Sequence, residues 1–313
     1  MKPVITLSLA LVCLVFLALS GGRDWLSPTE VWRGLWDTDD FVIQVLRLPR
    51  TALAVAAGLA LGLAGALMQG LTRNPLATPD VIGLVQGASL GHIVALVLGA
   101  SVFLGETVGA AIALFAVITL ARQQGPIAFV LYGIGVGATA SAATTVILLR
   151  APDATISQMM LWLSGSLARA DLATASMLLG GVGCAMFVVL WRGRDLRTLW
   201  LGDDVMTGLG VNLTLLRFTV LGLVTLLTAG ATLAVGPIGF LAFTAAPLAR
   251  AITGAEPPAL FPAALMGACL LTAADLAARL IAPLVTLPTG LIMTLIGAPY
   301  LIFFLWSEKR KTA

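Results

Sequence analysis

Charge is what this chain has least of. Only 11% of its 313 residues are Asp, Glu, Lys or Arg, less than half of the roughly 25% that covers a soluble domain. Apolar residues make up 59% and the mean hydropathy is +1.02, which excludes an ordinary soluble enzyme and implies a polytopic membrane protein. Lysine occurs only at Lys2, Lys309 and Lys311, and His92 is the sole histidine. Without a Lys between them no G-x-x-x-x-G-K-[ST] exists, so the chain cannot bind ATP through a P-loop of its own. One histidine also leaves no Ser-His-Asp set and no ligand cluster, so no catalytic, cofactor or metal site is expected. Cys13, Cys184 and Cys269 each stand alone in an apolar run, without C-x-x-C spacing. They read as small packing residues rather than a disulfide or thiolate framework.

Long charge-free runs are what the sequence does have. They cover 3–22, 51–72, 81–105, 107–121, 123–149, 172–191, 218–249, 257–274 and 280–307. A hydrocarbon core of roughly 30 Å takes about 20 helical residues, so 218–249 is too long for one crossing. Gly236-Pro237-Ile238-Gly239 breaks it. The first run lacks an A-x-A cleavage site and reads as a retained helix. The expectation is an all-α integral membrane protein of ten transmembrane helices, forming a single transmembrane domain over residues 1–313 with lipid as its solvent. The run 154–168 is too short to cross. It reads as a re-entrant or surface helix between helices 5 and 6.

Lys and Arg placement orients the chain. With the N-terminus inside, eleven of the 18 Lys and Arg fall on the inner side, while nine of the 15 acids fall outside. Both termini are therefore predicted to be cytoplasmic. The Lys309-Arg310-Lys311 tail reads as an anchor on that side, not as a nucleic-acid patch.

The runs contain no carboxylate by construction, and His92 reads as a hydrogen-bonded packing residue. Ion-coupled carriers keep ionisable groups near mid-membrane, so a secondary carrier is the weaker alternative. Asp275 and Arg279 lie four apart and share a helix face. Gly58 and Gly62, and again Gly133 and Gly137, fit small-xxx-small packing in lipid.

Four stretches go beyond what a bundle needs. Arg47-Leu48-Pro49-Arg50 opens the second helix as a cationic patch. Gln69-Gly70-Leu71-Thr72-Arg73-Asn74-Pro75 continues through Thr78-Pro79-Asp80 to Gly83 and Gln86-Gly87-Ala88-Ser89-Leu90-Gly91. The loop from Arg192 to Asn212 holds Leu201-Gly202-Asp203-Asp204 and Gly208-Leu209-Gly210. Gly236-Pro237-Ile238-Gly239-Phe240 is matched late in the chain by Leu287-Pro288-Thr289-Gly290 and Ile296-Gly297-Ala298-Pro299.

In these stretches the sequence closely resembles the FecCD family, permease subunits of ABC importers for ferric siderophores, haem and vitamin B12. The likeness runs from about Leu26 to Trp306, with RLPR, LGDDVMTGLGVN, GPIGF, ADLAAR and LPTG in the family's order. It implies a permease of the bacterial inner membrane, most commonly for an iron-siderophore complex, with haem or a corrinoid as alternatives. It further implies a cytoplasmic ABC ATPase dimer that hydrolyses ATP on separate chains, a second permease subunit and a periplasmic substrate-binding protein. By the same resemblance, Arg47, Arg50 and Arg279 meet the binding protein, in agreement with the topology count that puts all three outside. Leu201, Gly202, Asp203, Asp204, Gly208, Leu209 and Gly210 match the coupling element that sits against the ATPase. Asp203 and Asp204 are expected to cap its short helix. The segments 83–91, 123–149 and 153–166 are the expected walls of the path. One departure stands out: where the family reads Pro-His after GPIGF, this chain has Ala246-Pro247, which favours a heterodimeric pair.

Overall fold

The computed structural model describes residues 2–22, 24–121, 125–282 and 287–312. Arg23 and Arg122, which entered the charge count, and the start of the 123–149 run lie outside the described residues. Every regular element described is helical: α1 Lys2–Ser20, α2 Pro28–Trp36, a π-helical segment Phe41–Arg47 leading into α3 Leu48–Thr72, a 3-10 turn Pro79–Ile82, α4 Leu84–Leu98, α5 Val102–Leu120, α6 Gly125–Leu148, α7 Asp153–Leu163, α8 Leu172–Trp191, α9 Gly193–Arg197, α10 Asp203–Gly208, α11 Leu213–Val235, α12 Leu241–Thr253, α13 Leu260–Ile281 and α14 Thr289–Thr312. Six segments are long and apolar enough to cross a membrane: Phe41–Thr72, Val102–Leu120, Ala128–Leu148, Leu172–Trp191, Leu213–Val235 and Leu260–Ile281. Shorter apolar helices run Val4–Ser20, Leu84–Leu98, Leu241–Thr253 and Thr289–Phe304.

Helix ends follow capping signals rather than charges. Gly99 ends α4 in the left-handed region at φ 64°, and Ser101 caps α5 through the amide of Leu104. Glu106, which the sequence reading treated as a break between two runs, therefore lies inside α5. The run 257–274 likewise extends to Ile281 and takes in Asp275 and Arg279, which pair as expected at 3.1 Å. The break at Gly236 falls where predicted, between α11 and α12. A helix the sequence reading did not single out, α2, begins with a capping box, Ser27 accepting from the Glu30 amide and Glu30 accepting from the Ser27 amide.

Small residues decide which helix is central. The apolar stretch of Phe41–Thr72, which contains α3, is 83% buried, whereas those of Val102–Leu120 and Ala128–Leu148 are 22% buried. α3 reaches the centre because its glycines let α13 touch its backbone. A Cβ on Gly58 would stand 2.5 Å from the Ala268 Cα and 2.6 Å from the Gly267 carbonyl oxygen, well inside contact. Gly62 and Gly267 face each other in the same way. Gly58→Val is therefore expected to lower the unfolding stability of the detergent-solubilised chain by about 1–3 kcal/mol, the usual range for overpacking; an unchanged unfolding midpoint would contradict this packing. The α4–α5 contact repeats the device, Gly87 and Gly91 lying against Gly109 and Gly105. Gly133 and Gly137 of α6 receive Gly83, whose φ of +77° no bulky residue adopts cheaply.

Candidate functional site at the two ends of the bundle

At one end, Arg50 and Arg279 meet on Asp275, and Arg47 lies beside them on the last carbonyls of α1. Arg47 is only 8% exposed. Its Nη1 donates to the carbonyls of Leu19 (2.8 Å) and Ser20 (2.6 Å), and its Nη2 donates to the Asp24 carbonyl (2.7 Å). Helix ends leave such carbonyls open, so Arg47 caps the end of α1. Arg50 Nε donates to both Asp275 oxygens, at 2.9 and 3.1 Å. Arg279 Nε lies 3.1 Å from Asp275 Oδ2, and its Nη1 donates to the Ala18 carbonyl at 2.8 Å. Thr289 Oγ1 donates to Asp275 Oδ1 at 3.1 Å. The arginines thus clasp α1, α3, α13 and α14 together. Sequence reasoning paired Asp275 with Arg279 alone and missed it as the shared centre. The signal was Thr289 in the LPTG stretch, but no sequence separation announces that it meets Asp275.

Beside this clasp the GPIGF and LPTG stretches join the end of α7. Ser166 donates its amide to the Val235 carbonyl (2.8 Å), and Gly290 donates its amide to the Gly165 carbonyl (2.9 Å). The approach is backbone to backbone: Gly236 lies on the Trp162 carbonyl and Gly290 on the Ser164 carbonyl. Glycine is needed at both positions because a Cβ would occupy the neighbour's oxygen.

Two cavities flank α7. One, of about 610 Å³, is lined by Arg50, His92, Glu106, Trp162, Arg169 and Arg279 among others. The second, of about 580 Å³, lies where α4, α6 and α7 meet, with Gln86, Ser89, Ser141, Thr144, Ile156 and Pro237 on its walls. Residues of α4, α6 and α7 within the expected wall segments line this second cavity. Hydroxyls there donate to their own helices, Ser89 to Val85 (2.8 Å) and Thr144 to Ala140 (2.9 Å). The wall of the second cavity is consequently neutral.

The opposite end carries the other set of residues, since the 25 residues of α3 rise about 37 Å at 1.5 Å each. Here α10 is a single short helix. Gly202 sits at its N-cap with φ +95° and no side-chain cap, so Asp203 and Asp204 are first-turn residues rather than caps. This corrects the expected capping role. Asp203 is occupied elsewhere: Arg73 Nη2 donates to its Oδ1 (3.2 Å) and Arg217 Nη2 to its Oδ2 (2.6 Å). Arg73 ends α3 and Arg217 begins α11, so one carboxylate ties the short helix to two spans. All three side chains are a third or more exposed, and each pair contributes at most about 1 kcal/mol. Their value is positional. Met206 is buried beneath α10, while Leu201, Val205 and Leu209 are 53%, 50% and 62% exposed. Val205 and Leu209, four apart, share one face of this turn, and Leu201 is exposed just before Gly202. Gly208 and Gly210 follow, Gly210 at φ +80°.

Near this end Asp80 sits in the 3-10 turn, where burial pushes its carboxyl up to about 6. The folded chain holds this proton more tightly than the unfolded chain. The contribution is therefore fully present below about pH 4, the ordinary carboxylate value, and is lost as pH rises towards 6. Asp80→Asn is expected to raise stability at pH 7.5 by at most about 3 kcal/mol and to leave it unchanged at pH 4. Equal effects at both pH values, read by thermal unfolding, would rule this out.

The profile of one family matches nearly the whole chain, from residue 10 to residue 307: the FecCD transport family. The chain belongs to the FecCD transport family. As a FecCD chain it shares 34% identity with the Fe(3+)-citrate import system permease protein YfmE of Bacillus subtilis (strain 168), over 98% of this chain and 96% of the relative. It is 35% identical to the Fe(3+) dicitrate transport system permease protein FecD of Escherichia coli (strain K12), over 96% and 99% of the two chains. The hemin transport system permease protein HmuU of Yersinia pestis is 36% identical over 97% and 95%. A solved structure described as an inward-facing conformation of a metal-chelate type ABC transporter superposes with a TM-score of 0.84 at 26% identity, covering 97% of this chain and 98% of that one. This FecCD chain is a multi-pass membrane permease of the ABC importer class.

Proposed function

We propose that this chain is one transmembrane half of an importer in the bacterial inner membrane that brings a ferric chelate of the citrate or siderophore kind into the cytoplasm. Residues 1–313 act as one permease domain. The four shorter apolar helices cross together with the six long segments, making ten crossings with both termini cytoplasmic. The Lys and Arg bias supports this orientation, and tryptophans support where the crossings end. Trp25, Trp32 and Trp36 are exposed at the Arg47 end, and Trp191 and Trp306 are exposed on helices ending at the other, as two interfacial belts would have them.

The observation that carries the reading is the exposure of Leu201, Val205 and Leu209 at and beside α10. Three exposed apolar side chains at and beside a short helix, tied to two spans through Asp203, suit a groove on a separate cytoplasmic ATPase dimer. Closure of the ATPases then reaches α3 and α11 as a rigid push. Co-expression with the neighbouring genes, purification and mass spectrometry test this. An ATPase together with a second, different permease is the expected result, and the absent Pro-His at Ala246-Pro247 supports the heterodimer. Uptake that persists without any ATPase would favour a secondary carrier instead, and haem is the alternative cargo.

The Arg47 end faces a periplasmic binding protein in this reading. Arg47 and Arg279 are spent on internal bonds, while Arg50, paired with Asp275, is the more accessible cation at this end. Such charges set on-rate more than affinity. Arg50→Gln is expected to slow binding-protein association about threefold at low salt, with the difference shrinking in high salt. An unchanged on-rate would remove Arg50 from the docking face.

A further inference from the structure

A half-buried arginine near the Asp203 end faces an aromatic ring where a carboxylate would be expected. Arg250 stands in the last turn of α12. Its Cζ lies 5.8 Å from the centre of the Trp200 ring, inside the roughly 6 Å over which an aromatic face holds a cation. The carboxylate that orders this end, Asp203, is taken by Arg73 and Arg217. Trp200 immediately precedes Leu201 and Gly202, the N-cap of α10. Its Nε1 is buried with no hydrogen-bond partner among the described residues. Its edge packs on Gly70 in the last turn of α3, where a Cβ would stand 3.5 Å from Nε1. Packing and the cation, rather than hydrogen bonds, therefore hold the ring.

Beyond Arg250 the contacts continue along α12. Pro247 lies inside this helix, and without its N–H the Phe243 carbonyl is left open. Gln69 of α3 takes it, Nε2 donating at 3.1 Å. Tyr300 of α14 bridges the weakened place. Its ring centroid is 6.3 Å from that of Phe243, and it lies close enough to Arg250 to interact with its charge. Phe304 completes the set, 6.3 Å from Phe243 and 6.2 Å from Tyr300. At its start α12 follows the GPIGF stretch, where Gly236 lies on the Trp162 carbonyl of α7. One series of contacts thus runs from α10 to α12 and α14, and through α12 to α7.

We propose that Arg250 and Trp200 are positioning residues for transport: their contact carries a displacement of α10 into α12. This rests on the importer reading above. The push from the ATPases then has two branches, Asp203 carrying it to α3 and α11, and Trp200 carrying it to α12 and α14. A guanidinium suits the second branch because it is planar, lies flat on a ring and stays charged. Leucine at position 250 keeps bulk but removes the attraction. The hold of α12 on α3, where Gly65 lies against the Ala242 carbonyl, depends on neither side chain, so the bundle is expected to fold without the contact.

The full permease–ATPase complex in liposomes, with ferric citrate as the probe, tests the proposal through the amount carried per ATP hydrolysed. Arg250→Leu and Trp200→Leu are each expected to lower this ratio by about fivefold or more, while ATP hydrolysis and co-purification of the ATPase stay near wild type. Arg250→Lys and Trp200→Phe keep a cation and an aromatic face, and are expected to lose less. The double leucine variant is expected to be no worse than the worse single, because one contact is lost once. A wild-type ratio in Arg250→Leu overturns the proposal, and so do single losses that multiply in the double. If Arg250→Leu lowers the ratio and Trp200→Leu does not, the guanidinium serves the anionic cargo and the proposal is overturned. A second readout needs no cargo. Spin labels at Thr207→Cys of α10 and Ile252→Cys of α12, both exposed, are placed in a chain whose three cysteines are replaced. Their separation is expected to be the same in the nucleotide-free and vanadate-trapped complexes, and to differ between those states in Arg250→Leu. A separation that changes in both backgrounds, or in neither, overturns the proposal. If the wild type carries no ferric citrate, the cargo reading fails and the label distances decide. If no ATPase co-purifies, the importer reading fails and takes this proposal with it. Should Arg250→Leu fail to assemble, Arg250→Lys and the Trp200 variants decide.

Discussion

Replacing Leu209 by Asp is expected to weaken the ATPase's hold on the permease by on the order of 10²- to 10⁴-fold while leaving the bundle folded. The side chain is 62% exposed and packs against nothing essential in the free chain, so an exposed carboxylate there costs little before assembly. In the complex the same position would be covered. Burying a charge without a partner costs about 3–5 kcal/mol, which is the stated loss of affinity. Met206, buried beneath the same helix, serves as the contrast: Met206→Ala should lower unfolding stability by about 2–5 kcal/mol and affect association only as far as α10 shifts. The check is a pull-down of the ATPase with each variant, beside a detergent unfolding curve. If the ATPase still co-purifies with Leu209→Asp at the wild-type level, α10 is not the coupling element.

Asp275→Ala is expected to be among the most damaging single changes at the Arg47 end. The carboxylate is 1% exposed and receives Arg50, Arg279 and Thr289. Its removal leaves two largely buried guanidiniums facing each other with no counter-charge, a loss of about 3–5 kcal/mol. Asp275→Asn keeps the shape and one acceptor, and is expected to be milder. A double change, Asp275→Ala with Arg279→Leu, removes the stranded cation and should recover part of the loss. Thermal unfolding in detergent reads all three. An Asp275→Ala chain as stable as wild type would mean the clasp is not a structural tie.

The sequence reached the membrane class, the apolar runs and the break at Gly236, because each depends on composition or on punctuation within a few residues. It placed several helix ends wrongly by trusting charge as a boundary. Glu106 is the clearest case: Gly99 and Ser101 already carried the stop and start signals, and the capping box at Ser27 and Glu30 announced α2 in the same way. The candidate site was legible only as a set of motifs. Asp203 and Asp204 looked like caps because local rules allow it, yet Asp203 is drawn to Arg73, 130 positions earlier in the chain, and to Arg217.

By itself, then, the chain's own order determined that it lives in a bilayer, that its helices are rich in closely packing small residues, and which stretches are out of the ordinary. These follow from desolvation and helix periodicity, which act over short distances along the chain. Only the tertiary structure decided which helix is central, that Arg47 caps α1, that Asp275 is shared by two arginines, and that His92 meets Glu106. Those outcomes depend on groups far apart in sequence finding one another where water is scarce. There an unpaired charge is costly, so the partner, not the residue, sets the role.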